Sequence, residues 1–254
     1  MQAIELSLAS DADTSGGGFR DLLEPALRRV MIIGLVVAVL QQITGINAVF
    51  FYAPMIFEQS GIGTDAAFMQ AVLVGLTNLV FTILALNLID RLGRKPLLVF
   101  GVAGIAACML LLSWGFDQAS YSIDPGLLNQ LPDTIETGAL ASVVGVIYDS
   151  DIAFRAAVID QIGREAFLQL ESELLNGAIN IRPEIILAGI LGFVACFAVS
   201  IGPVMWVLFS ELFPNRVRGV AISVVGLVNS AVSFLVQLLF PWQLAHIGNS
   251  LTFF

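Results

Sequence analysis

Five stretches of the chain contain no Asp, Glu, Lys or Arg: Val30–Phe57, Ala66–Ile89, Pro96–Phe116, Ile185–Ser210 and Gly219–Phe254. About 20 mostly apolar residues in a helix cross the roughly 30 Å hydrocarbon core of a bilayer. Each stretch is long enough, and a water-soluble fold has no use for five of them. The last, at 36 residues, exceeds one crossing and ends in "GNSLTFF", which reads as the beginning of another helix. The expectation is an all-α integral membrane protein with five full spans and a stub. Only 12% of the residues are charged, against about 25% in soluble chains, so there is too little polar surface for water.

The charges that remain orient the spans. Eight of the eleven Lys and Arg fall in three segments, Arg20 with Arg28 and Arg29, Arg91 with Arg94 and Lys95, and Arg216 with Arg218. If every stretch crosses once, all three segments lie on one side, which the positive-inside rule makes cytoplasmic. Residues 117–183 carry ten acids and three arginines and fall on the other side. This divides the chain into a cytoplasmic lead-in (1–29), three spans (30–116), an extracytoplasmic insert (117–183), and two spans with the start of a third (184–254). Within the insert "DIAFRAAVIDQIGREAFLQLESELLNG" (Asp151–Gly177) predicts one or two amphipathic helices, a small helical cap. Cys108 and Cys196 sit among apolar residues without metal-ligand spacing and read as small buried hydrophobes. No cofactor or metal is implied, and nothing suggests nucleic acid; the lipid bilayer is the expected environment.

Polar side chains inside the charge-free stretches need partners, a cavity or a substrate. "QQITGIN" places Gln41, Gln42, Thr44 and Asn47 within seven residues of the first span. On an unbroken helix Gln42 and Asn47 point about 140° apart. A break at Thr44–Gly45, which glycine permits, brings them to one place. Asn78 in the second span is at mid-membrane depth and is a candidate to join these amides; Asn229 in the fifth is also mid-span. In the fourth span Gly202-Pro203 should break or bend the helix, with Trp206 one turn beyond. Neutral amides and an indole suit a neutral polyhydroxyl solute, because amides both donate and accept hydrogen bonds. Carboxylate or phosphate solutes would call for Arg or Lys. No catalytic constellation lies at membrane depth, so an enzyme is not expected.

The motifs "QQITGIN", "DRLGRKP", "GPVMW" and "SELFPNRVRG", in this order and spacing, resemble the sugar porter family of the major facilitator superfamily, over about residues 20–116 and 184–254. The resemblance implies the C-terminal helical bundle of that fold, spans seven to eleven and the start of twelve, with the N-terminal half missing. It implies a monosaccharide-type substrate contacted by Gln41, Gln42, Asn47, Asn78, Trp206 and Asn229. A cytoplasmic charge network of Asp90, Arg91, Gly93, Arg94, Glu211 and Arg218 would stabilise the outward-facing state. Gly202 and Pro203 would form the flexible segment of span ten. The family includes proton symporters and facilitators, so a coupling proton is an implied partner. Ile201 and Ser230 depart from residues frequent in relatives, which leaves the sugar unnamed. A lone half exposes its cavity face, so the chain alone is expected not to transport. The alternative reading is a non-transporting membrane sensor that recognises a partner through the insert.

Overall fold

The computed structural model describes residues 19–58, 64–128 and 137–254. Most of the lead-in, the glycine-rich outer turn after Glu58 and the "LPDT" turn signal lie outside these residues. A 3-10 turn, Phe19–Leu23, precedes α1 (Pro25–Ile43), which leads into α2 (Ile46–Glu58). Next come α3 (Thr64–Leu92) and α4 (Arg94–Asp117). The insert holds β1 (Ser120–Tyr121), α5 (Pro125–Leu128), a 3-10 turn (Thr137–Ser142), α6 (Asp151–Ile162), α7 (Arg164–Ala178) and β2 (Ile179–Asn180). Then follow α8 (Pro183–Val199), α9 (Ile201–Leu212), α10 (Arg218–His246) and the short α11 (Asn249–Thr252). Five helical rods are long and apolar enough to cross a membrane: Pro25–Pro54, Val72–Leu92, Arg94–Asp117, Pro183–Leu212 and Arg218–His246.

The outer surface of the rods is apolar, with Phe51, Val72, Phe100 and Leu227 each at least 70% exposed. In water such a surface would aggregate; in a bilayer it is the lipid face. The buried centre is α8, which packs along α4 and α3, while α1 packs along α10. Phe193, Ile190, Val194 and Ile186 of α8 are fully buried against Leu112 and Ile105 of α4. Without a hydrophobic drive between helices in lipid, close contact relies on small residues. A Cβ added at Gly189 would lie 2.6 Å from Leu112, and one at Gly192 would lie 2.8 Å from the Cys108 sulfur. Cys108 thus fills a gap that a larger side chain would wedge open.

Breaks and continuations follow backbone chemistry. The fourth rod breaks at Ser200 (φ −125°, ψ −105°), just ahead of the Gly202-Pro203 pair. Proline has no N–H to give the carbonyl four residues back and suits the first turn of a helix; here Pro203 is the third residue of α9. The fifth rod instead continues through Pro241 to His246. The carbonyl that Pro241 leaves without its helical donor is that of Gln237, and the Tyr52 hydroxyl donates to it at 3.5 Å.

The insert is a folded unit with its own apolar centre of Phe154, Val158, Phe167, Leu174, Ile123 and Leu140. Its amphipathic stretch forms two helices, separated at Gly163, whose φ of +80° favours glycine. The antiparallel pair β1–β2 ties entrance to exit, Ser120 opposite Asn180 and Tyr121 opposite Ile179. Strands of two residues leave no alternation to read in a sequence. Arg155 pairs with Glu171 across the two helices, lies 3.9 Å from Asp151 and stands over the Phe167 ring.

Asp151 is buried and joins the insert to the spans, since its carboxylate accepts from the Asn249 backbone N–H at the start of α11. Burial raises its pKa above the ordinary 3.8, and Arg155 and nearby backbone N–H groups offset part of that rise. Burial also pushes up the neighbouring Tyr121 phenol, helped by the Asp151 charge. A carboxyl that holds its proton more tightly when folded stabilises most at low pH, and the contribution disappears as pH rises through the raised value. Amide-exchange protection of α6 and α7, corrected for intrinsic rates, should therefore fall as pH rises above the ordinary carboxylate range. Asp151→Asn should flatten that profile; a flat wild-type profile would refute the assignment.

Candidate functional site

The first rod is broken where a polar site requires it. α1 ends at Ile43, Thr44 and Gly45 form a turn, and α2 begins at Ile46. Gly45 takes φ +79°, the left-handed region that glycine enters without steric cost. Its N–H bonds the Gln42 carbonyl at 3.0 Å rather than continuing the ladder to Gln41. The Gln41 carbonyl, which loses its helical donor, accepts from the Thr44 hydroxyl at 2.6 Å. The "TG" pair thus both turns the chain and closes the hydrogen bonds the turn would open.

The turn swings Asn47 beside Gln42, and its amide nitrogen donates to Gln42 Oε1 at 2.8 Å. Gln42 Nε2 donates to Asn229 Oδ1 of α10 at 2.9 Å and to Gln41 Oε1 at 3.2 Å. Asn229 Nδ2 donates to Gln41 Oε1 at 2.8 Å and to the Ala38 carbonyl at 3.0 Å. Gln41, Gln42 and Asn229 are buried. Asn229 spends both its donors on α1, which makes it the joint between the two helices. A buried amide with its valences filled in this way is stiff.

The network then runs along α10. Ser233 Oγ accepts from Asn47 Nδ2 at 2.8 Å and from Gln237 Nε2 at 2.9 Å. Asn229, Ser233 and Gln237 recur every fourth residue, so they share one helix face. A cleft of about 400 Å³ opens over this face, lined among others by Gln42, Asn47, Tyr52, Asn229, Ser233 and Gln237. Once the internal bonds are made, the Asn47 and Gln237 side-chain oxygens remain to accept and the Ser233 hydroxyl hydrogen remains to donate. Aromatic faces from Tyr52 and Phe234 complete the lining. Ser233, Gln237 and Tyr52 are the residues sequence reasoning passed over. The spacing of 229, 233 and 237 was the signal for two of them.

Two expected members stand apart. Asn78, half-buried on α3, makes no hydrogen bond to the amides of α1 among the described residues. α3 packs on α2 and α8 rather than against the α1–α10 pair. Trp206 on α9 is 47% exposed, with its ring edge-on to Phe209 at 5.9 Å. Neither lines the cleft. Gly202, half-buried, faces the Phe197 ring just after the break, with Pro203 beside it.

At the other end of the bundle the three basic segments gather. Arg94, at the start of α4, forms an ion pair with Glu211 at the end of α9. Among the described residues Arg218 meets no carboxylate; its Nε donates to the Phe213 carbonyl at 3.2 Å. Asp90 and Arg91 are exposed and make no ion pair among the described residues. Gly93 caps α4 at φ +81°. Arg216, outside the expected network, reaches Glu24 at 2.8 Å and Asp21 at 3.8 Å. The two acids among the basic residues of "FRDLLEPALRR" (Phe19–Arg29) were the clue to that clip.

A Cβ at Gly45 would meet nothing within 4 Å, so replacing it tests backbone conformation alone. Gly45→Ala should destabilise the protein by about 1–2 kcal/mol, the cost of a left-handed L-residue, measured by thermal unfolding in detergent. An unchanged midpoint would show that the turn does not need its positive φ.

Comparison with known proteins accounts for this arrangement. A sequence profile described as "Sugar (and other) transporter" matches residues 2–126 and 140–254. The D-xylose-proton symporter of Escherichia coli (strain K12) is 31% identical over 230 residues, 88% of this chain and 34% of the relative. The glucose facilitated diffusion protein of Zymomonas mobilis is 32% identical over 210 residues, covering 81% of this chain and 32% of the relative. A solved proton:xylose symporter of the major facilitator superfamily, bound to 6-bromo-6-deoxy-D-glucose, superposes with TM-score 0.58 at 29% identity. That match covers 88% of this chain and 35% of the solved one. The chain spans about a third of the length of these relatives. Sequence and fold agree over nearly its whole extent, and the chain belongs to the sugar (and other) transporter family of the major facilitator superfamily.

Proposed function

We propose that the chain builds one wall of a carrier that moves a neutral sugar by alternating access. The observation that carries this reading is the broken first rod, which sets Asn47 beside Gln42 and opens a neutral, amide- and hydroxyl-lined cleft. A sugar presents hydroxyls that donate and accept, with an apolar ring face between them, and the cleft offers the complement. In this reading the open valences of Asn47, Ser233 and Gln237 meet the sugar, Gln42 and Asn229 line the cleft beside them, and Gln41 holds the amides in place. Trp206 and Asn78 stand on helices outside the cleft and contribute where the cavity is closed by further helices. The names of the relatives divide between proton symport and facilitated diffusion. Among the described residues the cleft lining holds no carboxylate or imidazole, so the reading places a coupling proton on the opposite wall. The sensor reading draws no support from these relatives.

The cleft is open on one side, so transport in this reading needs a second helical wall. The Arg-rich end faces the cytoplasm by the positive-inside rule, and the insert lies outside, in a plasma or inner membrane. The Arg94–Glu211 pair then closes the cytoplasmic end in one state of the cycle, with Asp90, Arg91, Gly93 and Arg218 around it. Both partners of the pair are 44% exposed, a setting in which an ion pair contributes about 0.2–1 kcal/mol. That is small enough to be made and broken in each cycle. Gly45 and the Gly202-Pro203 segment are the points at which the rods flex.

D-xylose and D-glucose binding to the protein in nanodiscs, followed by calorimetry, is the direct test. Gln42→Ala should weaken whichever sugar binds by about tenfold, the equivalent of about 1.4 kcal/mol, while the exposed Asn87→Ala leaves affinity unchanged. Equal affinities for wild type and Gln42→Ala would remove the cleft from the mechanism. Proteoliposomes containing this chain alone should show no labelled-sugar counterflow above empty vesicles; counterflow would show that copies of the chain complete each other's cavity.

A further inference from the structure

A second cavity, of about 470 Å³, lies at the Arg-rich end, between the N-terminal 3-10 turn and helices α1 and α10. Its walls are Phe19, Leu22, Met31, Leu35 and Val224, and among the described residues its one charged lining residue is Arg28. Leu22 and Met31 are buried on the bundle side, whereas Phe19 is 66% exposed. The groove therefore has an apolar floor and opens on the surface that faces lipid.

Among the described residues the charge at its mouth has no partner. The acids nearest in sequence, Asp21 and Glu24, are both engaged by Arg216 from the turn before α10. Arg28 makes no ion pair or hydrogen bond among the described residues. Arg28 sits on the first turns of α1, at the depth where a membrane-spanning helix meets headgroups. An apolar groove with one free guanidinium at its rim, at a bilayer interface, complements an acyl chain attached to a phosphate. Guanidinium binds phosphate through two parallel N–H donors, which a Lys or an amide cannot reproduce. Basic pockets between spanning helices on the cytoplasmic side take anionic headgroups by the same chemistry.

We propose that this groove is a binding site for one anionic phospholipid, with an acyl chain along Leu22, Met31, Leu35 and Val224 and the phosphate on Arg28. The bound lipid braces the 3-10 turn against α1 and α10, on the same face that the Arg216 clip holds. It acts on the bundle at a place separate from the amide cleft, and the site stands whether or not the cleft binds sugar.

Native mass spectrometry of the intact chain, released from mild detergent after incubation with phosphatidylglycerol or phosphatidylcholine of matched chains, reads the site directly. Wild type should retain one phosphatidylglycerol in preference to phosphatidylcholine. Arg28→Gln should reduce that retention about fivefold, the effect of one interfacial cation. Arg29→Gln, which removes the same charge from a residue outside the groove, should leave retention near wild type. Leu35→Trp, which fills the groove and keeps the charge, should abolish retention while the protein elutes as wild type in size exclusion. Equal retention of the two lipids by wild type would overturn the proposal. So would equal losses in Arg28→Gln and Arg29→Gln, which would mean attraction to the basic end as a whole.

Discussion

In hydrocarbon no water finishes an incomplete hydrogen bond, and that constraint organises this molecule. Two departures from a straight helix bring their own substitute donors. The turn at Thr44–Gly45 opens the Gln41 carbonyl and supplies the Thr44 hydroxyl to it. Pro241 removes a donor from Gln237 and the Tyr52 hydroxyl covers the loss. The amides of Gln41, Gln42, Asn47 and Asn229 satisfy each other before they satisfy anything else. A polar cleft can exist at this depth because its walls are already closed among themselves, and only the outward-facing valences await a partner.

The sequence made the spans legible because hydropathy is a one-dimensional property, and a run without charges needs no tertiary information. The break at Gly45 was legible for a different reason: amides 140° apart on a helix make no sense unless the helix is interrupted. Tertiary placement was less accessible. Asn78 and Asn229 look alike as isolated asparagines in apolar spans, yet α10 packs on α1 and α3 does not. Only the packing order separates them. Ser233 and Gln237 were overlooked because a serine and a glutamine four residues apart are unremarkable until Asn229 shows which face matters. The β1–β2 pair joins residues 58 apart through two-residue strands, as Tyr121 opposite Ile179 illustrates, and no local pattern announces it.

The two ends of the bundle are held by different physics. At the Arg-rich end the contacts are ion pairs between exposed side chains, Arg94 with Glu211 and Arg216 with Glu24, which water and salt weaken. At the other end the insert is attached through a buried carboxylate, a buried phenol and the backbone of Asn249. Contacts of the first kind exchange readily, and those of the second hold a fixed arrangement. The insert is therefore held by buried contacts, whereas the Arg-rich end is held by contacts that water reaches.

The bond between Gln42 and Asn229 joins residues 187 positions apart. A ribosome adding about 5–20 residues per second needs roughly ten to forty seconds to travel that distance. Throughout that interval the first rod is already made while the helix that completes its amides has yet to emerge. During synthesis, then, Gln41 and Gln42 must find temporary partners, whether the walls of the insertion machinery, headgroup water or each other. The polar centre of the bundle becomes whole only when the fifth rod emerges.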